Sequence, residues 1–262
     1  MGLILSILVF LLLFLSLKYF EHKNIYLPER DSIANPLDFG IDFEEINFSS
    51  RDHVLINGWF IQGPKDKVIL LCHGNGGNIS YRVDLIEILN YLGYKIFVFD
   101  YRGYGKSDGI PTERGLYRDA LGAYDILKEK GFKNEDIVLL GRSLGGAVAI
   151  FLASRVKPSG LIVDSSFESI HILSKDVLGF YFPRWLISDR FESIQRIKNI
   201  KIPKLVIHSI DDEIIPFYHG KNLYEAAPEP KRFLRLHGSH NTSLFESKDI
   251  YIKELRNFID NL

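Results

Sequence analysis

The sequence predicts an α/β domain in which a mostly parallel central sheet is flanked by helices. Short apolar runs with few charges inside them recur along the chain, as expected of strands covered on both faces. Helix-like segments separate these runs, the alternation that builds parallel sheets. The 262 residues, 46% hydrophobic and 25% charged, suffice for one large domain with a buried core.

The chain opens on a segment of a different kind. No charge occurs from Gly2 to Leu17, where Leu, Ile, Val and Phe fill most positions. Sixteen helical residues rise about 24 Å, short of the ~30 Å hydrocarbon core. Extension to Phe20 closes the gap, because Lys18 can snorkel and Tyr19 and Phe20 suit the interface. Residues 1–20 are therefore expected to form an N-terminal transmembrane anchor. A cleaved signal peptide is the main competing reading, but the basic n-region and an A-x-A-like site are missing. A buried core helix is the third. Lys18, Lys23 and Arg30 all follow the segment, which favours a cytoplasmic domain.

Residues 21–40 are polar, contain two prolines and read as a linker and lead-in loop. The domain proper is expected over 41–262. Phe43–Phe48 and Val54–Ile61 predict an antiparallel pair joined by a polar turn. The apolar runs that follow are Val68–Cys72, Ile96–Phe99, Ile137–Leu140, Leu161–Val163 and Leu205–Ile207, with a weaker one at Phe233–Leu236. Helices are expected at 80–92, 113–130, 144–156, 218–226 and 246–261. In the first, Val83, Ile86, Leu89 and Leu92 mark one apolar face. Residues 165–200 exceed a normal crossover and carry Phe167, Phe180, Tyr181, Phe182, Trp185 and Phe191. They predict either two helices packed on the sheet or a small cap whose aromatics line an acyl pocket.

The chemistry is written at the ends of the strands. Gly141-Arg142-Ser143-Leu144-Gly145 is a G-x-S-x-G motif between an apolar run and a small-residue helix, the strand–turn–helix setting of a nucleophile elbow. A serine needs a base, and the base an orienting acid. Acids stand at Asp211 and Asp212 after one run, and histidines at His237 and His240 after the next. The order Ser, Asp, His is that of the α/β-hydrolase arrangement, and strand ends are where open α/β sheets build sites. His73-Gly74-Asn75-Gly76-Gly77-Asn78 follows Val68–Cys72 and supplies the glycine-rich loop expected of an oxyanion hole. The backbone N–H groups of Asn75 and Leu144 are the expected donors. That loop lacks the Lys-Ser/Thr ending of a P-loop and the G-x-G-x-x-G spacing of a dinucleotide site.

Asp100-Tyr-Arg-Gly-Tyr-Gly-Lys-Ser-Asp-Gly109, with Pro111-Thr-Glu113, resembles the D-Y-R-G-Y-G-x-S-x-G-x-P-x-E signature of the membrane-anchored serine hydrolases of the serine-aminopeptidase-like subgroup, within the α/β-hydrolase superfamily. The H-G-N-x-G-N loop, the G-x-S-L-G-G elbow, D-x-x-I-P and G-x-H-N are similar too, so the likeness extends over roughly 25–260. The resemblance implies an α/β-hydrolase fold with Ser143, Asp212 and His240 as catalytic residues. It selects Asp212 over Asp211 by its place in D-x-x-I-P, and His240 over His237. The chain departs from the subgroup at Gly76, commonly alanine there, and at Ser209, where glycine is usual. Asp164, after an earlier strand, is the runner-up acid.

The expected activity is cleavage of an ester, thioester or amide through an acyl-enzyme on Ser143, by a carboxylesterase, lipase-like enzyme or thioesterase acting near a membrane. Its partners would be a small-molecule or lipid-like acyl substrate or an acylated protein. An acyltransferase with the same triad and a catalytically silent membrane-bound scaffold are the alternatives. The net charge of −1 speaks against a nucleic-acid partner. The histidines show neither H-x-x-x-H nor Cys/His pairing, so no metal or cofactor is expected. Cys72, inside a strand, is expected to be inert.

Overall fold

A computed structural model describes residues 2–262. Helix α1 (Gly2–Ile25) precedes the hairpin β1 (Phe43–Ser49) and β2 (Leu55–Ile61). The chain then runs through β3 (Val68–Cys72), α2 (Val83–Tyr91), β4 (Lys95–Phe99), α3 (Glu113–Glu129), β5 (Ile137–Arg142), α4 (Leu144–Ala153) and β6 (Gly160–Asp164). After the 165–200 insertion, with α5 (Ile170–Leu178) and α6 (Ser193–Ile197), come β7 (Lys204–Ser209), α7 (Tyr218–Ala226) and β8 (Lys231–Leu236). Two C-terminal helices, α8 (Ser243–Glu246) and α9 (Lys248–Ile259), complete the domain. The eight strands form one sheet in the order β1-β2-β4-β3-β5-β6-β7-β8. Pairing is antiparallel at β1–β2 and β2–β4 and parallel elsewhere.

The apolar runs divide between the two faces by parity. Val68, Leu70 and Cys72 join Ile137, Leu139, Leu161 and Val163 in the core under α3 and α4. Ile69, Leu71, Val138, Leu140 and Ile162 point to the opposite core, against α2 and α9. Both faces are dry, which is why these strands read as unbroken hydrophobic runs. The edge strand β8 begins at Lys231, earlier than the expected Phe233. Its Lys231, Arg232 and Arg235 hid the first residues, and charges are common on strands with one unpaired side. The expected 246–261 helix is α9, and the short α8, not anticipated, precedes it with Ser247 between them.

Helix α1 is a candidate membrane span over Ile4–Ile25. Consecutive large apolar residues from Ile7 to Leu15 are exposed, so every side of the helix is apolar. A helix hydrophobic all round needs an apolar surrounding. Its polar end differs. The helix continues to Ile25 rather than stopping at Phe20, and it is fastened to the domain. Glu21 accepts hydrogen bonds from the backbone N–H groups of Ser188 (2.6 Å) and Asp189 (3.2 Å). Lys18 donates to the Leu186 carbonyl. The Tyr26 hydroxyl donates to Asp189 at 3.0 Å, and the Leu27 N–H donates to Asn75 Oδ1 at 2.9 Å. Residues 21–40, expected as linker and lead-in loop, are therefore not a free tether.

In the 165–200 insertion, Phe191 enters the core, while Phe180, Tyr181 and Trp185 are exposed. Phe167 lines a cavity beside Ile170, Leu173 and Val177 of α5, and Phe182 lines the groove next to it.

Candidate active site

Ser143, Asp212 and His240 follow the C-terminal ends of β5, β7 and β8. Ser143 sits at φ 54°, ψ −121°, a conformation that costs a residue with a side chain roughly 1–3 kcal/mol. Its surroundings hold it there. The Ser143 N–H donates to Asp164 O at 2.8 Å, and the Ser143 carbonyl accepts from Gly146 N (2.9 Å) and Ser166 Oγ (2.8 Å). The flanking glycines are required by contact. A Cβ on Gly145 would lie 2.0 Å from Cys72 O, and one on Gly141 would lie 2.2 Å from Gly145 O. The turn can be this tight only with bare backbone on both sides.

His240 and Asp212 are both buried, and His240 Nδ1 lies 2.7 Å from Asp212 Oδ2. The other carboxylate oxygen accepts from the N–H groups of Ile214 (3.0 Å) and Ile215 (2.8 Å). Burial works to raise this carboxyl, but the His240 hydrogen bond and charge and the Ile215 N–H outweigh it and hold Asp212 below its usual value. An anionic partner fixes Nδ1 as the protonated nitrogen and leaves Nε2 to act as base. The loop of His240 is held by Glu213, which accepts its N–H at 2.9 Å, and by Arg142, which donates to its carbonyl. Among the described residues no hydrogen bond joins His240 to Ser143; both line one cavity. Catalytic hydrogen bonds are often loose without substrate.

The competing residues separate by geometry. Asp164 is buried and accepts from Ser165 Oγ (2.9 Å) and Tyr251 OH (3.1 Å), with no histidine among its hydrogen-bond partners. His237 and Asp211 pair at 3.2 Å on the surface. Burial pushes the Cys72 thiol up to about 12, an unreactive group.

The loop after β3 brings Asn75 into the same cavity as Ser143. Neither the Asn75 nor the Leu144 backbone N–H has an acceptor among the described residues, the latter as the first N–H of α4. The Asn75 side chain accepts from Leu27 N and from Tyr104 OH, each at 2.9 Å. Arg82 Nη2 spans the carbonyls of Gly74 (3.4 Å) and Asn75 (3.3 Å) and bonds that of Gly76.

These supports were not foreseen, although part of the signal was in view. The Asp100–Gly109 motif is the scaffold of this loop. Tyr101 OH donates to His73 O at 3.0 Å, Tyr104 holds Asn75, and Asp100 accepts the Ile79 N–H at 2.8 Å. Arg102 fastens the motif to α3 through Asp119 at 2.7 Å. Arg82 carried no motif and could not have been singled out.

The cavity holds about 530 Å³, within the range of small-molecule sites. Ser143, His240, Asn75 and Arg82 line its polar end. Ile25, Phe167, Ile170, Leu173 and Leu244 form an apolar stretch of the wall, and Asn24, Asp84, Arg142 and Asn241 line the cavity as well.

A strained serine between strand and helix, on a sheet of this order, defines an α/β-hydrolase. The chain matches the profile of the family described as serine aminopeptidase, S33, over residues 63–196, and it belongs to that family. That stretch includes Asn75 and Ser143 and ends before Asp212 and His240. The uncharacterized membrane protein YNL320W of Saccharomyces cerevisiae is 32% identical over 93% of this chain and 90% of its own length. The lysophosphatidylserine lipase ABHD12 of Rattus norvegicus is 36% identical over 63% of this chain and 46% of that longer protein. Among solved structures, the esterase Pf2001 of Pyrococcus furiosus superposes with a TM-score of 0.78 at 20% identity, covering 90% of this chain and 97% of that one. That likeness concerns the fold. Together these relationships make the chain a hydrolytic enzyme of the α/β-hydrolase superfamily, with a candidate transmembrane helix at its N-terminus.

Proposed function

We infer that this protein is a membrane-anchored serine hydrolase that cleaves carboxylic esters or thioesters through an acyl-enzyme on Ser143. The buried 2.7 Å pairing of His240 with Asp212, facing the same cavity as Ser143, carries the reading. On substrate binding, His240 Nε2 closes on the Ser143 hydroxyl and takes its proton as Oγ attacks the carbonyl carbon. The oxyanion is received by the N–H groups of Leu144 and Asn75, a donor set worth roughly 3 kcal/mol per member. His240 returns the proton to the departing alkoxide or thiolate, and the acyl–Ser143 ester forms. Water, deprotonated by His240, then attacks that ester and releases the acid. Asp212 keeps the imidazole tautomer and stabilises the imidazolium. The lipase name of one relative and the apolar cavity wall support a lipid-like acyl group.

The test is fluorophosphonate labelling of carbonate-washed membranes that carry the full chain. Wild type should label and hydrolyse p-nitrophenyl esters, whereas Ser143→Ala, equally abundant and folded, should do neither. Equal turnover by the variant would sink the assignment, and recovery of the protein in the wash would sink the anchor.

A further inference from the structure

The reactive cavity does not end at its apolar wall. Beyond it lies a second groove, of about 100 Å³, between the polar end of α1 and helix α5. Cavity and groove share Asn24, Ile25, Ile170, Leu173 and Val177, so they are divided only by the side chains that line both. From there the groove continues past Leu178, Phe182 and Ile187 to Phe20. Its lining is almost wholly hydrocarbon, with Glu21 turned away to the Ser188 and Asp189 N–H groups and the Ser174 hydroxyl bonded to the His171 carbonyl.

The place of the groove identifies its occupant. One wall is α1 itself, and the charge-free run of that helix ends at Lys18. Phe20 lies two residues further on, about 3 Å of helical rise, so the groove opens where α1 leaves the bilayer. On the opposite bank the neighbouring residues Phe180, Tyr181 and Trp185 are exposed, with Trp185 79% accessible. Trp185 directly precedes Leu186, whose carbonyl receives the Lys18 ammonium. Exposed Trp and Tyr beside a snorkelling lysine are the composition of a membrane interface. An apolar slot that begins at such an interface and ends at a serine nucleophile fits a hydrocarbon chain rising out of the bilayer.

We propose that the groove between α1 and α5 is the acyl-chain site, and that the substrate is an acyl ester whose chain is drawn from the bilayer along the anchor helix. The chain lies against Phe20, Leu178, Phe182 and Ile187, passes Leu173 and Ile170, and presents its carbonyl carbon to Ser143. The anchor is thus one wall of the binding site as well as a tether. This rests on the serine-hydrolase reading above.

The test uses the full-length protein in detergent micelles with p-nitrophenyl acetate, octanoate and palmitate. Wild type should favour the longer esters in kcat/KM. Leu178→Trp, which fills the groove short of the reactive cavity, should lower the palmitate-to-acetate ratio at least tenfold and the octanoate-to-acetate ratio much less. Leu178→Met should restore the wild-type ratio, and circular dichroism with thermal melting identifies the folded variants. An unchanged ratio in folded Leu178→Trp, or in Ile187→Trp if the first variant does not fold, overturns the groove while leaving the hydrolase intact. Wild type that turns over none of the three esters and does not label overturns the hydrolase reading and the groove with it. Equal tolerance of palmitate on a soluble acylated peptide and failure with the micellar ester would overturn the bilayer as the source.

Discussion

Two histidine–aspartate pairs lie side by side on the same two loops, in opposite surroundings. His237 and Asp211 meet at 3.2 Å in solvent, with side chains 74% and 53% exposed. His240 and Asp212 meet at 2.7 Å with side chains 8% and 0% exposed. The residue types are identical, so the difference is environment. In water the outer pair is screened and contributes little. The inner pair faces a lower dielectric, and the Ile214 and Ile215 N–H groups pin its carboxylate. A third pair shows that burial alone is not enough. His73 and Asp100 are both buried, yet His73 Nε2 stands 3.8 Å from Asp100 Oδ1 with no hydrogen-bond partner. Burial and the nearby Arg82 push His73 down to about 3, and burial pushes Asp100 up to about 7. Buried without a mutual hydrogen bond, each ring or carboxyl is driven toward its neutral form.

The contrast can be attacked at each pair. Asp212→Asn should lower kcat on short esters by roughly 10⁴-fold while the protein still folds, because the imidazole loses its tautomeric anchor. A loss under tenfold in steady-state kinetics would make the inner pair structural. Asp100 predicts a pH effect on stability that His73 opposes. His73, held near 3 when folded, binds its proton only in the unfolded state from there up to about 6.5; the Asp100 variant isolates the carboxyl's share. Unfolded, Asp100 releases its proton near pH 4; folded, it keeps it to about 7. At Asp100 the native state therefore holds an extra proton across that window, and the contribution of this carboxyl to stability falls as pH rises through it. Asp100→Asn, which can still accept the Ile79 N–H, should raise Tm by at least about 2 °C at pH 8 and change it little at pH 4. Equal shifts at both pH values would locate the cause elsewhere. The smallest effect belongs to the outer pair: His237→Ala should keep kcat/KM within about twofold and Tm within about 1 °C.

Much of this was legible before any coordinate. The strand runs were readable because both faces of the sheet are covered, and the elbow because its glycines have no substitute. Residue patterns alone left Asp211 beside Asp212 and His237 beside His240. No local sequence property distinguishes a buried carboxylate from an exposed one a residue away, and family likeness supplied the choice. Other features depend on contacts between distant segments. Glu21 bonding Ser188, Leu27 bonding Asn75 and Arg82 closing on the Gly74–Gly76 carbonyls join residues that carry no periodic signal. The aromatics of the 165–200 insertion could not be sorted for a similar reason. A bulky ring can sit in a core, on a cavity wall or on an exposed surface, and Phe191, Phe167 and Trp185 took one each.

The fastening of α1 has a kinetic consequence. Glu21, Tyr26 and Leu27 join the helix to the insertion and to the loop of Asn75, so a domain held this way cannot swing freely above the lipid. With α1 in a bilayer and a lipid-like substrate, as proposed, the mouth of the cavity would stay at one height and one orientation, and encounters with substrate would become collisions in a plane. Turnover of such an enzyme follows the mole fraction of substrate in the surface, and dilution with inert lipid slows it even when the amount of substrate per litre is unchanged.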